Sequence, residues 1–257
     1  MGEALVVTSG KGGVGKSTVA VNLAAALAMK GKSTLLIDAD TGLRSLDVLL
    51  GLENSVVYDL TDVIEGSCRL KQAIVKARCV DNLSLIAAAA LRDASAVKPA
   101  AMVDTVRRLK DRYDYIIVDC PAGVDAGFRT AIAPAERAIV VTHEDAICVR
   151  DAERVGALLE QAGLRERLLV INRMRPRKIK RGESMPGQAL SERLHMTLLG
   201  QLGEERAFYD AAQAGRPLAL DPGDAAQAFE RMARRLMGET VPFEMPRRPS
   251  LLARLRG

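Results

Sequence analysis

The sequence is poor in aromatic residues. Phe and Tyr together make up 3% of the 257 residues, and Trp is absent. Proteins that bind single-stranded nucleic acid use aromatic side chains on which bases stack, so a stacking platform of this kind is not expected here. Apart from its basic C-terminal tail the chain is nearly neutral, so nucleic acid is not expected among its partners. Apolar residues nevertheless make up 48% of the sequence, which is enough for the core of one large α/β domain or two small ones.

Cysteine is also scarce, and its spacing argues against cysteine-based sites. The four cysteines stand at positions 68, 79, 120 and 148, without a CxxC pair. From this spacing we expect neither a disulfide framework nor a zinc site, and we expect a reducing compartment.

Long apolar runs are missing as well. No stretch approaches the ~20 apolar residues that a membrane-spanning helix requires. The first residues, MGEALVV, lack the basic region and long apolar segment of a signal peptide. We therefore expect a cytosolic protein.

What the sequence does contain is a glycine-rich loop near its start. Gly10–Thr18 reads GKGGVGKST and lies between a short apolar run, Ala4–Val7, and an alanine-rich stretch, Val19–Met29. The loop fits the pattern of glycine, four residues, then G-K-[ST]. Because this pattern stands between a predicted strand and a predicted helix, it predicts a phosphate-binding loop.

The residue types in this loop suit phosphate and magnesium. Backbone amides that the glycines leave free, together with the positive end of the following helix, form a nest for an anion. We predict that Lys16 contacts the β- and γ-phosphates and that Ser17 offers its hydroxyl to Mg²⁺. The predicted nucleotide-binding residues of the loop are Gly10, Lys11, Gly12, Gly13, Val14, Gly15, Lys16, Ser17 and Thr18.

A second lysine, Lys11, directly follows the first glycine, where an ordinary phosphate loop does not need one. With this lysine the loop resembles the deviant Walker A loop of the ParA/MinD family of ATPases. In that family the lysine crosses a dimer interface to the partner's nucleotide. The resemblance implies that Lys11 is catalytic, stabilising charge on the transferred phosphoryl group, and that dimers depend on the γ-phosphate.

Two carboxylates follow the next apolar run. Ser33–Ile37 (STLLI) predicts a buried parallel strand that ends in Asp38-Ala39-Asp40, at the sheet edge where such folds bind ligands. By resemblance, Asp38 belongs to the magnesium network, and Asp40 is catalytic because it helps to place the attacking water. Either carboxylate could instead cap a helix.

The stretch that begins with these aspartates separates branches of the family. It reads DADTGLRSLD and resembles the MinD form, D-x-D-x-G-L-R-N-L-D, with Ser45 at the usual asparagine position. ParA DNA-partition proteins typically continue D-x-D-P-Q. The pattern leaves Arg44 and Asp47 for exposed or interface roles.

A later strand, Tyr115–Val118, ends in the sequence DCPAG, which resembles the D-x-P-A-G of the MinD branch. We predict that Asp119 holds Mg²⁺ directly or through water. Gly123 would let the backbone approach the γ-phosphate and act as a switch. The alternative for Asp119 is a turn or cap residue ahead of a helix at Val124–Ala133.

Two further segments carry predictions from the resemblance. The segment VRDAER, at positions 149–154, starts a helix that in the family borders the dimer face where partners bind; it is equally consistent with a plain helix carrying charge pairs. After the strand Arg167–Ile171, Asn172 is predicted to read adenine, with Arg173 beside it, although asparagine is also a common turn former. A basic loop then extends to Arg181; we predict a solvated loop or a contact to anionic lipid or DNA.

The net charge of +5 lies mostly at the C-terminus, where Met245–Gly257 holds four arginines and no acid. As a helix, the sequence SLLARLRG at 250–257 places its leucines on one face, with arginines beside them that can reach lipid phosphates. It resembles a short form of the membrane-targeting helix of the MinD branch; the alternative is a frayed basic tail. The predicted membrane residues are Leu251, Leu252, Arg254, Leu255 and Arg256.

Together these features predict one doubly wound α/β domain over residues 1–238, with a mostly parallel sheet and helices on both faces. Residues 239–249 are predicted to be a linker. The resemblance implies a Mg²⁺-dependent ATPase that positions the bacterial division site. ATP would drive formation of a homodimer that binds anionic lipids on the cytoplasmic face of the inner membrane.

The resemblance also implies protein partners. These are a MinC-like division inhibitor and a MinE-like or other topological factor that activates hydrolysis. Four alternatives remain at this point: a ParA-type DNA-segregation ATPase, a flagellar-number ATPase of the same superfamily, an iron-protein reductase, and a membrane scaffold that does not hydrolyse ATP.

Overall fold

The computed structural model describes residues 1–41, 44–89 and 97–246. The predicted membrane residues of the C-terminal tail and Gly42 lie outside these ranges. Within them, the strands are β1 (Glu3–Thr8), β2 (Thr34–Asp38), β3 (Val75–Lys76), β4 (Leu83–Ile86), β5 (Tyr115–Asp119), β6 (Arg137–Thr142), β7 (Glu166–Met174) and β8 (Thr197–Gly203).

The helices of the described residues alternate with these strands for most of the chain. They are α1 (Lys16–Met29), α2 (Leu46–Leu49), α3 (Leu60–Glu65), α4 (Leu70–Ala73), α5 (Pro99–Leu109), α6 (Ala126–Ile132), α7 (Ala146–Gln161), α8 (Pro176–Lys180), α9 (Gly187–Leu194), α10 (Ala207–Gln213) and α11 (Asp224–Leu236).

All eight strands form one sheet, in the order β3-β4-β2-β5-β1-β6-β7-β8. Neighbouring strands are parallel except for β3, which pairs with β4 in the antiparallel direction. Central strands such as β1 and β5 are buried on both faces, which is why they read as continuous apolar runs. The prediction of a doubly wound, mostly parallel sheet is confirmed.

Each face of the sheet is covered by its own layer of helices. Successive side chains of a strand point to opposite faces. Leu5 and Val7 of β1 therefore join one cluster with the buried residues of α1 and α11, whereas Ala4 and Val6 join the other with α5, α6 and α7. Helix α1 is buried along most of its length because its alanines allow the sheet and α11 to approach closely.

The strand order brings the C-terminal ends of three strands, β1, β2 and β5, together. Strand β5 lies between β1 and β2, so that Asp119 of β5 is in register with both Val7 and Asp38. The loop after β1, the aspartates after β2 and the turn after β5 consequently share one edge of the sheet. This is the edge at which open α/β sheets bind ligands.

The prediction of a basic loop from Arg173 to Arg181 was wrong. Strand β7 continues through Met174, and its pairing with β8 shifts register twice before it ends. Helix α8 then begins at Pro176, where a proline is compatible with the first turn. The irregular register carries the strand past the point at which its apolar run stops, which local sequence patterns did not indicate.

Part of the predicted linker lies against the domain. The guanidinium of Arg235 donates to the carbonyl oxygens of Val241 and Pro242, at 3.1 and 2.6 Å, and stacks over the ring of Phe243 at 4.0 Å. A third bond reaches Leu199 O in β8 at 2.7 Å. One arginine of α11 therefore holds the following segment to the sheet.

Candidate nucleotide-binding site

The glycine-rich loop joins the end of β1 to the start of α1. Within it, Gly15 is the position least able to accept a side chain. This residue has φ of 90°, and a Cβ atom there would lie 2.3 Å from Nδ2 of Asn172. Both the left-handed backbone and the close side chain therefore require glycine. Gly10 is constrained in another way, because a Cβ there would lie 2.6 Å from the backbone oxygen of Asp151 in α7.

Lys16 lies at the base of the loop in a buried ion pair. Its Nζ is 2.7 Å from Oδ1 of Asp119 and 3.2 Å from Oγ of Ser17. Lys16 is 7% exposed and Asp119 is fully buried. The predicted phosphate-binding lysine, the serine hydroxyl and the carboxylate of β5 are therefore within one hydrogen-bonded group.

One carboxylate oxygen of Asp119 remains free to bind a cation. Its Oδ2 atom is buried and has no hydrogen-bond partner among the described residues. Burial raises the pKa of Asp119, while Lys16 and Ser17 act to lower it. A buried carboxylate oxygen without a hydrogen-bond partner is a suitable ligand for a cation.

Asp38 lies beside Asp119 and accepts three backbone hydrogen bonds. Its Oδ1 accepts from Asp40 N at 3.0 Å, and its Oδ2 accepts from Ser45 N and Leu46 N at 3.1 and 3.2 Å. Asp38 therefore binds the start of α2, as the capping alternative predicted. Burial, reinforced by the charge of Asp119, still raises the pKa of Asp38 to about 7.

The oxygen donors at this edge fit a magnesium ion. Ser17 offers a hydroxyl oxygen, Asp119 an unsatisfied carboxylate oxygen, and Asp38 a second carboxylate, all hard ligands of the type Mg²⁺ prefers. Two buried carboxylates side by side repel one another, and a dication held by these residues would relieve that repulsion. When bound, Mg²⁺ would neutralise charge on the transferred phosphoryl group.

The raised pKa of Asp38 gives a testable pH dependence. The protonated, neutral form of Asp38 is favoured in the folded state. Protonation of Asp38 therefore contributes fully to stability below pH ~4, and this contribution is lost as the pH rises through about 7. Without nucleotide or Mg²⁺, the free energy of unfolding of Asp38→Asn relative to the wild type should rise by about 2 kcal/mol from pH 5 to pH 8. Urea unfolding at both pH values measures this, with Asp81→Asn as an exposed control. A pH-independent difference would contradict it.

Asp40 lies closer to the surface than Asp38 and is partly buried. Burial raises its pKa, and the charge of Lys16 opposes that shift. Asp40 is thus near the lysine and Asp119, in a position open to solvent. The structure is compatible with a role in placing water and does not assign Asp40 to a helix cap.

The expectation for Asp47 was wrong. Its side chain is 3% exposed, with Oδ2 accepting from Nε of Arg44 at 2.6 Å and Oδ1 accepting from Val48 N at 2.9 Å. Arg44 itself is 25% exposed. The pair stabilises the segment after Asp38 from inside the domain, whereas the sequence pattern had left Asp47 for an exposed or interface role.

Asn172 contacts the loop from the end of β7. Its Nδ2 donates to Val14 O at 2.9 Å, and its Oδ1 accepts from Arg173 N at 2.9 Å. One amide hydrogen and one lone pair remain for a base. Asn172 and Arg173 line a cavity of about 270 Å³. The other lining residues are Gly15, Thr18, Gly203, Glu204, Glu205, Phe208, Tyr209 and Ala212.

Sequence reasoning missed the α10 side of this cavity. Phe208 and Tyr209 are adjacent aromatic residues in a chain with four of each, and Tyr209 is 65% exposed. An aromatic pair in an aromatic-poor sequence was the available signal. Both side chains border the space beside Asn172, where a purine ring would find apolar surface.

Lys11 and Gly123 are the predicted trans-acting lysine and the predicted switch glycine. Lys11 is exposed and makes no ion pair in the described part of the chain. Gly123 has φ of 94°, which a residue with a side chain rarely adopts. The turn containing Gly123 reaches the loop, because a Cβ on Gly12 would lie 3.9 Å from Cβ of Ala122.

Comparisons with known proteins agree with this geometry. A ParA family model, described as NUBPL iron-transfer P-loop NTPase, matches residues 1–237. The septum site-determining protein MinD of Bacillus subtilis is 45% identical over 248 residues, which span 95% of this chain and 92% of that protein. The chain belongs to the MinD family. Family membership makes it a P-loop ATPase of cell division.

Two solved MinD structures show the same architecture. The MinC:MinD cell division protein complex of Aquifex aeolicus contains a chain 40% identical, with a TM-score of 0.89, covering 95% of this chain and 99% of that one. MinD of Pyrococcus horikoshii, complexed with Mg-ADP, is 30% identical with a TM-score of 0.83, covering 92% and 96%. The MinD family thus includes a protein whose structure contains a magnesium nucleotide, Mg-ADP.

Among the described residues of this MinD family member, no helix combines the length and apolar character needed to cross a bilayer.

Proposed function

We propose that this chain is an ATP-dependent dimerising ATPase that brings a division inhibitor to the membrane and thereby positions the division site. The observation that carries the proposal is the contrast between the two lysines of the loop. Lys16 is buried against Asp119, whereas Lys11 is exposed and unpaired within the described residues. A cation that its own chain does not neutralise is available to the nucleotide of a second copy.

Dimerisation would then depend on the terminal phosphate. ATP offers the γ-phosphate anion that Lys11 of a second chain neutralises, and ADP does not. Asp40, near Lys16, would place the attacking water, and Mg²⁺ would be held by Ser17, Asp119 and Asp38. Hydrolysis removes the γ-phosphate and with it the attraction between copies.

The exposed side of α7 is the surface we assign to the division inhibitor. Ile147, 65% exposed, is a large apolar residue in the first turn, and Arg150 and Arg154 follow on the same side at helical spacing. The same helix touches the loop, since its Asp151 backbone lies against Gly10. A partner on α7 would therefore sense the nucleotide. The MinC:MinD complex of Aquifex aeolicus supports a MinC-like inhibitor as that partner.

Light scattering with the inhibitor tests this surface. The wild-type chain with ATP should form dimers that bind the inhibitor, and with ADP it should do neither. Ile147→Ser/Arg154→Glu should lose inhibitor binding and keep ATP-dependent dimers. A matched change of two exposed residues elsewhere, Val57→Ser/Arg69→Glu, should lose neither property. Inhibitor binding that is equal with ATP and ADP would contradict the proposal.

Membrane binding is assigned to the C-terminal tail. Three leucines would bury apolar surface worth about 3 kcal/mol in all, and each arginine near an anionic leaflet would add about 1 kcal/mol. Ordering so short a helix offsets much of that gain. One tail therefore binds weakly, and two tails on one dimer bind together at high effective concentration. A MinE-like factor or the membrane itself would stimulate hydrolysis and release the dimer.

Deleting residues 250–257 tests the membrane assignment. The truncated protein should keep its basal ATPase rate, because the deletion starts beyond the described domain, and should no longer sediment with anionic liposomes in ATP. Two matched full-length variants separate the contributions of the tail. Leu251→Ser/Leu255→Ser should lose binding to all liposomes, and Arg254→Gln/Arg256→Gln should lose only the preference for anionic ones. Equal sedimentation of truncated and full-length protein would contradict the assignment.

A further inference from the structure

We propose that His143, Asp145 and Cys148 form a binding site for Zn²⁺ at the start of α7. One possible ligand atom from each residue lies within 4.8 Å of the other two. Nδ1 of His143 is 3.9 Å from Oδ2 of Asp145. The expectation of no zinc site rested on the absence of paired cysteines, and a site that uses a single cysteine escapes that criterion.

The fold brings the three residues onto one turn. His143 directly follows β6, Asp145 is the residue before α7, and Cys148 lies in the first turn of that helix. The hydroxyl of Thr142 donates to Cys148 O at 2.9 Å and lies 3.3 Å from His143 O. This buried hydroxyl ties together the backbone of two of the proposed ligands, so the site is partly preorganised.

The histidine is held in the tautomer that leaves Nδ1 free for a metal ion. Nε2 of His143 lies 3.2 Å from Val14 O in the phosphate loop. A carbonyl oxygen only accepts hydrogen bonds, so Nε2 carries the proton and Nδ1 presents its lone pair toward Asp145. Metal-binding histidines commonly donate their second ring N–H to a backbone carbonyl in this way. Val14 O also accepts from Asn172, which keeps that acceptor in place.

The donor set favours zinc over magnesium. A thiolate, an imidazole and a carboxylate together suit a borderline cation, whereas Mg²⁺ prefers oxygen ligands. In tetrahedral zinc sites with bonds of about 2.0–2.3 Å, ligand atoms lie roughly 3.5 Å apart. Cys148 and His143 are 7% and 13% exposed, and Asp145 is 60% exposed. The exposed carboxylate can therefore move to close the remaining gap. The fourth position stays open to water.

Charges around the cluster are mixed. Lys11 lies near Cys148 and Arg173 lies near His143, and both disfavour a dication. Asp151 near the thiol and Glu204 near the imidazole offset them, in addition to Asp145 itself. Since the cluster is next to the phosphate loop, bound Zn²⁺ would brace the turn after β6 against that loop through His143.

Cobalt titration tests the site directly. Tag-free full-length protein, free of nucleotide and Mg²⁺, should develop a thiolate-to-cobalt charge-transfer band with one equivalent of Co²⁺. Cys148→Ser should abolish this band, and the control Cys79→Ser, at a partly buried cysteine outside the cluster, should keep it. Zinc affinity, measured by competition with a chromophoric chelator, should fall at least about 10-fold in His143→Asn and in Asp145→Asn.

A stability measurement accompanies the titration. Zinc at about 100 times its dissociation constant should stabilise the wild type and Cys79→Ser, and should not stabilise Cys148→Ser. Asparagine, like aspartate, is a favourable residue immediately before a helix, so the Asp145→Asn variant is expected to fold. Its zinc affinity can therefore be measured even if another variant unfolds. A band that survives Cys148→Ser, no band in the wild type, or unchanged zinc affinity in both His143→Asn and Asp145→Asn would overturn the proposal.

Discussion

Replacing Lys16 by glutamine is expected to lower the affinity for ATP at least about 100-fold, which is about 2.7 kcal/mol, and to abolish ATP-dependent dimers. Lys16 is the buried cation of the site, 2.7 Å from Asp119 and at the start of α1. We propose that it donates charge-assisted hydrogen bonds to the phosphates, which no other described residue at the base of the loop can replace. Titration with a fluorescent ATP analogue and light scattering measure the two effects.

A loss of fold must be separated from a loss of binding. Lys16→Gln leaves the buried Asp119 carboxylate without its ion-pair partner, so the variant should also be destabilised by about 3 kcal/mol. The double variant Lys16→Gln/Asp119→Asn removes the uncompensated charge and should recover most of that stability without recovering ATP binding. Wild-type ATP affinity or ATP-dependent dimers in a folded Lys16 variant would refute the assignment.

Replacing Lys11 by alanine is expected to leave ATP affinity within about 3-fold of the wild type and to lower the ATPase rate about 1000-fold. Lys11 is exposed and unpaired in the described structure, so its removal costs its own chain little. Its charge is proposed to act on the nucleotide of a second copy, where a cation donated in trans stabilises the transferred phosphoryl group. Lys71→Ala, at an exposed lysine of α4, is the matched control.

Mixing two inactive variants tests whether Lys11 acts in trans. Asp40→Asn should bind ATP and fail to hydrolyse it. In a mixed dimer, the Lys11→Ala chain supplies Asp40 to its own nucleotide and receives Lys11 from the Asp40→Asn chain. One of the two sites is then complete, and an equimolar mixture should recover about a quarter of the wild-type rate. If the mixture stays as inactive as its parts, Lys11 acts within its own chain.

Local and long-range interactions differ in how well the sequence predicted them. The phosphate loop was predictable because its glycines, Lys16 and Ser17 are neighbours in the chain and their geometry is local. The strands were predictable where both faces are buried, as in β1, β2 and β5. The end of β7 and helix α8 were not, because a bulged register with β8 decides where that strand stops.

By itself, the sequence determined the phosphate loop, the doubly wound fold and the kinship with MinD. Each was predictable because local motifs and the alternation of strand and helix patterns are visible in contiguous residues. Only the tertiary structure decided that β5 inserts between β1 and β2, which places Asp119 against Lys16 and beside Asp38. It also decided that His143 meets Val14, 129 positions away in the chain. The reason is physical: contacts between distant segments depend on strand order and packing, and neither leaves a periodic signal in the segments themselves.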